Sequence, residues 1–524
     1  MSGRGLGSGD SGSAAGGYGA PDATVWRKRF WHVFWGLLTI KIWLAATFPI
    51  TGDEAFFYWW GVYPDWGYYD HPPMVGWLLT ILHAISDHPL VLRCATVMLW
   101  GAISIGLVDL LKRLLPESAH AQAWATGVVF QLLPFTWALN VVTTDTPLIF
   151  FMFCSGYAFV RSLDSRKWLA WSVLSGVALG LGLLSKFFAG LLAIGYFAAC
   201  VRTRRGWAQL FVIAFSALPF FGLNIAYNAT HCWNNVMFNL VNRHEGAQTS
   251  GRTVLVYLGM MLYLITPWAL WRFRRAWADG HARWALYCLF GVPFALFLLL
   301  SIKKTIGLHW VLGFMPFVFL AYGLMVPVQT LKRHAMFNAV FSVPHLLALA
   351  LIIIPSSDFW RGKALHAEVV FHKDTPAIVA ALRSNLPEGA KLAATAYTPA
   401  VTLGFHAGEY IPVLGTGKFH ARQDDVEVDF RQYDGKTIRV FDKRQPDPAH
   451  YAPWFEHVST GSFEVSGIRY HYLDGKGFRY PVFRDTVLKT IFDRYYQIPA
   501  VLPRCGCPFT ERYGFELTPS RWDR

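Results

Sequence analysis

Charge is what this chain has least of. Only 15% of its 524 residues are Asp, Glu, Lys or Arg, where a soluble protein of ordinary composition carries roughly a quarter. With 54% hydrophobic and 16% aromatic residues, that scarcity excludes a soluble enzyme and implies a polytopic α-helical membrane protein. Cysteine is scarce as well, seven in all, and no Cys/His cluster has the spacing of a zinc site. Cys94, Cys154, Cys200 and Cys288 fall inside apolar runs, where a thiol packs as a small hydrophobe. Cys505 and Cys507, in "RCGCPF", lie in a polar region. Cys-x-Cys rarely makes a relaxed bridge, so free thiols and a strained bond both stay open. The first 25 residues are Gly/Ser-rich without an apolar stretch and read as a disordered tail, not a cleavable signal. The net charge of +14 comes with no basic domain or reader motif, which excludes nucleic acid as a partner.

What the chain has is apolar length. Runs near the span of ~30 Å of hydrocarbon occur at 29–48, 90–112, 121–139, 147–163, 168–184, 187–202, 207–225, 254–272, 283–301, 308–328 and 334–354. That predicts about eleven spans. An N-terminus in the cytoplasm puts seventeen Lys and Arg on the inner loops, against Lys186, Arg243, Arg252, Lys303 and Lys304 outside, with Arg93 at an edge. The positive-inside rule favours that orientation. An odd number of spans then sends 357–524 to the far side as a small α/β domain, with strand-like alternation in "KTIRVFDKR" and "SGIRYHYLD" and a helix in "TPAIVAALRSNL". The expected divisions are a tail (1–25), a membrane catalytic domain (26–356) and a C-terminal domain (357–524). The short segment Pro72–Ile85, bounded by prolines, reads as an interfacial helix.

This topology collects polar residues at the outer face. "ITGDEAFFYWWGVYPDWGYYDHPP", Ile50–Pro73, holds four of the 33 acidic residues and no Lys or Arg. It supplies Asp53, Glu54, Asp65, Asp70 and His71. Later outer loops add Asp145, Lys186, Asn228, Trp233, Arg243, His244, Lys303, Lys304 and His309. Ionisable residues converging at one edge of a bundle are how a membrane protein builds a site. Carboxylates with few bases beside them suit deprotonation of a hydroxyl or a metal; isolated cations opposite suit a phosphate leaving group. Plainer roles exist for several of these residues: interfacial aromatics, snorkelling Lys303 and Lys304, an N-cap for Asp145. The adjacent acids Asp53 and Glu54 have no such obvious structural purpose.

Six motifs in order resemble the bacterial protein mannosyltransferase-like glycosyltransferases of GT-C fold, the family that includes the lipid A aminoarabinose transferase. They are "GDEAFFYWW", "WGYYDHPPMVGWL", "TTDTPLIFF", "LGLGLLSKF", "YNATHCWNNVMFNL" and "HWVLGFMP". The resemblance implies an inner-membrane enzyme that inverts at the anomeric carbon. It would move a monosaccharide from a polyprenyl-phosphate donor to a periplasmic-side lipid or glycan acceptor, such as lipid A. It implies Asp53, Glu54 and Asp145 as catalytic, Lys186 and Arg93 in contact with the donor phosphate or with neighbouring acids, and Lys303, Lys304 and His309 at the donor phosphate. Tyr58, Tyr69, Asp70, His71, Asn228, Trp233 and Arg243 would contact substrate. Tyr227 stands where the family commonly has Trp, and the aminoarabinose transferase has thirteen spans. A single phosphate leaving group requires no metal, though "DHPP" and "HARQDD" (His420–Asp425) leave room for a divalent ion.

Two rival classes remain at this level. A flippase for a lipid-linked glycan would place charge near mid-membrane, and a glycan polymerase or ligase would carry more outer-loop arginines. The spans here are nearly charge-free.

Overall fold

The computed structural model describes residues 22–242, 250–273, 281–503 and 505–516. All eleven apolar runs are helical. Seven helices among the described residues are long and apolar enough to cross a membrane: Ala23–Thr47, Pro89–Leu114, Asp145–Asp164, Arg204–Thr230, Trp284–Ser301, Leu308–Met325 and Val328–Ile353. The other four runs are shorter or broken. His120–Gln131 stops before Pro134, where the chain restarts as Pro134–Trp137, and Gly251–Phe273 kinks at Thr266 ahead of Pro267. Proline removes a helical donor and pushes the preceding residue out of the α region. The kink is held by His334, fully buried, whose ring nitrogens meet the Thr266 hydroxyl at 3.0 Å and the Tyr322 hydroxyl at 3.2 Å.

The first helix, α1 (Ala23–Thr47), begins where the Asp22 side chain caps Thr24, three residues inside the stretch expected to be a tail. α2 (Gly52–Val62) opens with a capping box: the Thr51 hydroxyl accepts from the Glu54 N–H, and Glu54 accepts from the Thr51 N–H. Such reciprocal caps satisfy two otherwise orphaned donors. The loop after α2 folds back on it, with Tyr68 stacked on Trp60 at 4.2 Å and donating to the Trp60 carbonyl. The expected interfacial segment is α3 (Met74–His83), packed along α2. A Cβ at Gly61 would lie 2.9 Å from the Leu79 carbonyl carbon, so only glycine permits that approach.

The C-terminal region contains a four-stranded mixed sheet in the order β1-β2-β4-β3. The strands are β1 (Lys391–Ala394), β2 (Ile438–Asp442), β3 (His457–Val465) and β4 (Ile468–Lys476). The two segments expected as strands are β2 and β4, and the expected helix is Thr375–Arg383. β1 and β2 are parallel; β4 runs antiparallel to both β2 and β3. Ser466 and Gly467, both at positive φ, close the β3–β4 hairpin in the turn that matches strand twist.

Several ties join this region to the helices. The Lys373 ammonium donates to the carbonyls of Ile353 and Pro355 at 2.9 and 2.5 Å, capping the last long helix. The Tyr69 N–H donates to the Gln423 side chain at 2.9 Å, and the Trp233 indole donates to the Pro503 carbonyl at 2.8 Å. Cys232 forms a disulfide with Cys507, 275 residues away. The strained Cys505–Cys507 bond is therefore not formed, and the free-thiol alternative holds for Cys505 alone, which is exposed, while Cys507 has a distant partner.

Candidate active site

A cavity of about 540 Å³ opens where the helices meet the C-terminal region; its walls carry Asp53, Asp70, His71, Asp145, Lys186 and His309. Six of the expected site residues thus converge. Asp53 lies in the first turn of α2, exposed, and its Oδ1 accepts from the Tyr397 hydroxyl at 3.3 Å. Asp145, at the start of the helix Asp145–Asp164, receives the Lys186 ammonium on both oxygens at 3.0 Å, with both side chains nearly buried. One cation and one acid on this wall therefore neutralise each other until a ligand competes.

Asp70 sits between two imidazoles, with His71 Nδ1 3.2 Å from Oδ1 and His420 Nδ1 3.5 Å from Oδ2. Burial opposes its ionisation, but the combined pull of His71 and His420 outweighs burial and holds the carboxyl well below the usual range. The approach of His71 is a close contact without hydrogen-bond geometry.

A second, more apolar cavity of about 400 Å³ lies on the other side of Asp53. It runs between the end of α1 (Phe48, Pro49), the last long helix (Ile352) and the segment Leu365–Lys373. Asp53 is on the wall of both.

Most of the other expected residues lie away from the larger cavity. Glu54 and Arg93 are buried together away from the cavity, the guanidinium donating to both carboxylate oxygens at 2.7 Å. Arg93 gives its other N–H groups to the carbonyls of Ala45, Phe48 and Pro49. With every donor used, it has none for a phosphate, and Glu54 is an anchor, not an acid facing substrate. Tyr58 is buried against Phe405. Tyr69 is buried too, its hydroxyl accepting from Asn242 at 3.2 Å. Asn228 accepts from the Val236 N–H and, with the Trp233 N–H on its carbonyl, shapes the turn after Thr230. Lys303 and Lys304 lie off the cavity wall, with Lys304 5.6 Å from the Trp310 ring centre. Arg243 and His244 fall outside the described residues.

Two ionisable residues on the wall were missed as site residues, Tyr397 and His420, both from the C-terminal region. "HARQDD" did draw attention to His420, for a metal; its Asp424 and Asp425 are instead buried in the domain, Asp424 under Tyr410 and the Val413 N–H, Asp425 against Arg422 and Tyr496. Among the described residues no group of three His, Cys, Asp or Glu side chains is arranged to hold a metal ion.

Residues 70–227 match the family model described as dolichyl-phosphate-mannose-protein mannosyltransferase. The lipid A galacturonosyltransferase RgtD of Rhizobium johnstonii is 25% identical over 275 residues, covering 49% of this chain and 55% of that protein. The chain therefore spans about half the length of that relative. ArnT from Cupriavidus metallidurans superposes in its apo state with a TM-score of 0.59 at 17% identity, over 86% of this chain and 98% of ArnT. Bound to undecaprenyl phosphate, it superposes with a TM-score of 0.58 at the same identity and coverage. The structural matches show that the chain has the GT-C fold of ArnT.

Proposed function

We propose that this protein is an inverting glycosyltransferase that moves a monosaccharide from a polyprenyl-phosphate donor to a lipid acceptor of the cell envelope. The observation that carries the reading is the position of Asp53 between a large cavity with a buried cation and a more apolar one. The donor occupies the first, its phosphate drawn to Lys186; the acceptor reaches Asp53 from the second. The Asp53 carboxylate takes the proton of the acceptor hydroxyl as that oxygen attacks the anomeric carbon from the face opposite the phosphate. The bond from that carbon to the phosphate oxygen breaks, and the phosphate leaves with the electron pair. A cation against that oxygen stabilises the charge as it develops.

Lipid A is the favoured acceptor, because RgtD is named for it, and undecaprenyl phosphate the favoured carrier, because ArnT binds it. Transfer on the periplasmic side of the inner membrane is supported by the distribution of Lys and Arg and by the disulfide, a bond that persists in oxidising compartments.

The test is mass spectrometry of lipid fractions from cells with and without the protein, complemented with wild type or Asp53→Asn. A monosaccharide-sized increment restored only by wild type is the expected result. Restoration by Asp53→Asn would remove Asp53 as the base. Accumulation of polyprenyl-linked sugar on the inner leaflet, with no change in any acceptor, would favour a flippase.

A further inference from the structure

The carboxylates of the cavity are not equally constrained. Asp145 is held by Lys186 and Asp70 by two imidazoles. Asp53, the one assigned to chemistry, is exposed and, among the described residues, touches no cation; it accepts from the Tyr397 hydroxyl. Burial, reinforced by Asp53 itself, pushes the Tyr397 phenol up to about 12, so it remains a donor at neutral pH.

Tyr397 is in turn fixed by its neighbours. Its ring meets Phe56 edge-on at 5.8 Å and lies 4.9 Å from the His420 ring. His420 is packed by Phe419 at 4.4 Å and Phe238 at 6.0 Å, an arrangement that aims Nδ1 at Asp70. The contacts form a chain, Asp53–Tyr397–His420–Asp70, in which two side chains of the C-terminal region bridge two carboxylates of the first loop.

We propose that Tyr397 and His420 are positioning residues for transfer: the C-terminal region completes the site by fixing Asp53 relative to Asp70. Tyr397 occupies Oδ1 of Asp53 and leaves Oδ2 to the acceptor hydroxyl. His420 sets the plane of Tyr397 through ring contact and is itself oriented by Asp70. A flexible carboxylate in a wide cavity samples many rotamers, and one that is off by about 1 Å loses about 100-fold in rate. This inference rests on the reading of Asp53 as the base.

The experiment uses the full chain. Wild type, Asp53→Asn, Tyr397→Phe, His420→Asn and His420→Leu are induced in cells lacking the chromosomal copy, and the rate of appearance of sugar-modified lipid is followed by mass spectrometry. Binding of undecaprenyl phosphate and thermal unfolding are measured on the purified proteins. Tyr397→Phe is expected to slow transfer by about 10- to 100-fold, with undecaprenyl phosphate affinity and unfolding temperature unchanged. His420→Asn and His420→Leu both remove the ring that lies against Tyr397, and both are expected to slow transfer. Wild-type rates for Tyr397→Phe beside an inactive Asp53→Asn would overturn the positioning role alone. Slowing matched by an equal loss of binding or stability would reduce both residues to packing. An active Asp53→Asn would instead refute the base reading beneath the inference.

Discussion

Glu54 accepts from Arg93 through both carboxylate oxygens at 2.7 Å, and Oε1 also accepts the Val142 N–H at 3.1 Å. With three carbonyls at the end of α1 on the same guanidinium, one buried pair joins α1, α2 and the 140s loop. Removing one partner leaves an uncompensated buried charge. Glu54→Gln is predicted to destabilise the protein by about 3–5 kcal/mol, seen as a lower unfolding temperature in detergent. Asp53→Asn, one residue away, is predicted to leave that temperature unchanged.

The Asp145–Lys186 pair makes a different prediction, because it faces the cavity. Lys186→Met leaves Asp145 unpaired and is expected to weaken both stability and undecaprenyl phosphate binding, the latter by roughly 10- to 100-fold for one charge-assisted bond. In the Asp145→Asn/Lys186→Met double variant the stray charge is gone. Thermal unfolding should recover, and binding should not. Recovery of both would mean that the lysine serves the fold alone.

The Cys232–Cys507 bond closes a long loop between the helices and the C-terminal segment. Cys232→Ser or Cys507→Ser is predicted to cost about 2–5 kcal/mol, and a reductant should lower the unfolding temperature of wild type by a similar amount. Cys505→Ser should change neither. Peptide mapping without reduction reads the pairing directly.

The C-terminal region carries a pH dependence of stability. Burial, with the charges of Asp65 and Asp424 adding to it, pushes the Glu427 carboxyl up to about 7, against a hydrogen bond from Gln423. The folded chain therefore keeps a proton that the unfolded chain, titrating near 4.5, has released. That contribution is full below about 4.5 and is lost as pH rises through about 7. Burial shifts Asp424 in the same direction, to about 6. Unfolding temperature should fall from pH 5 to 7.5, and Glu427→Gln should flatten part of the fall.

Much of this was legible in the sequence, for reasons particular to each element. The helices follow from apolar length, and β2 and β4 from alternation. Asp145 and Lys186 stood out because each is a lone charge at the edge of an apolar run. Asp53 and Glu54 could not be told apart, since which of two adjacent acids faces inward depends on the phase of α2, fixed by the Thr51 cap and by Arg93. For Arg93 the resemblance left a phosphate and a neighbouring acid both open; the choice falls to Glu54 and three backbone carbonyls, partners that have no motif. Cys232 and Tyr397 were invisible for a simpler reason: their partners lie 275 and 344 residues away.

Lys373 gives the arrangement a further meaning. Its side chain, from one side of the expected division at residue 357, grips the carbonyls that end the last long helix on the other side. The seam between the two parts is thus riveted, and a join in sequence is not a joint in space. Grafting the C-terminal region of a relative onto these helices at 357 would discard the rivet along with the Gln423 and Cys507 ties, so a working chimera must carry the seam whole.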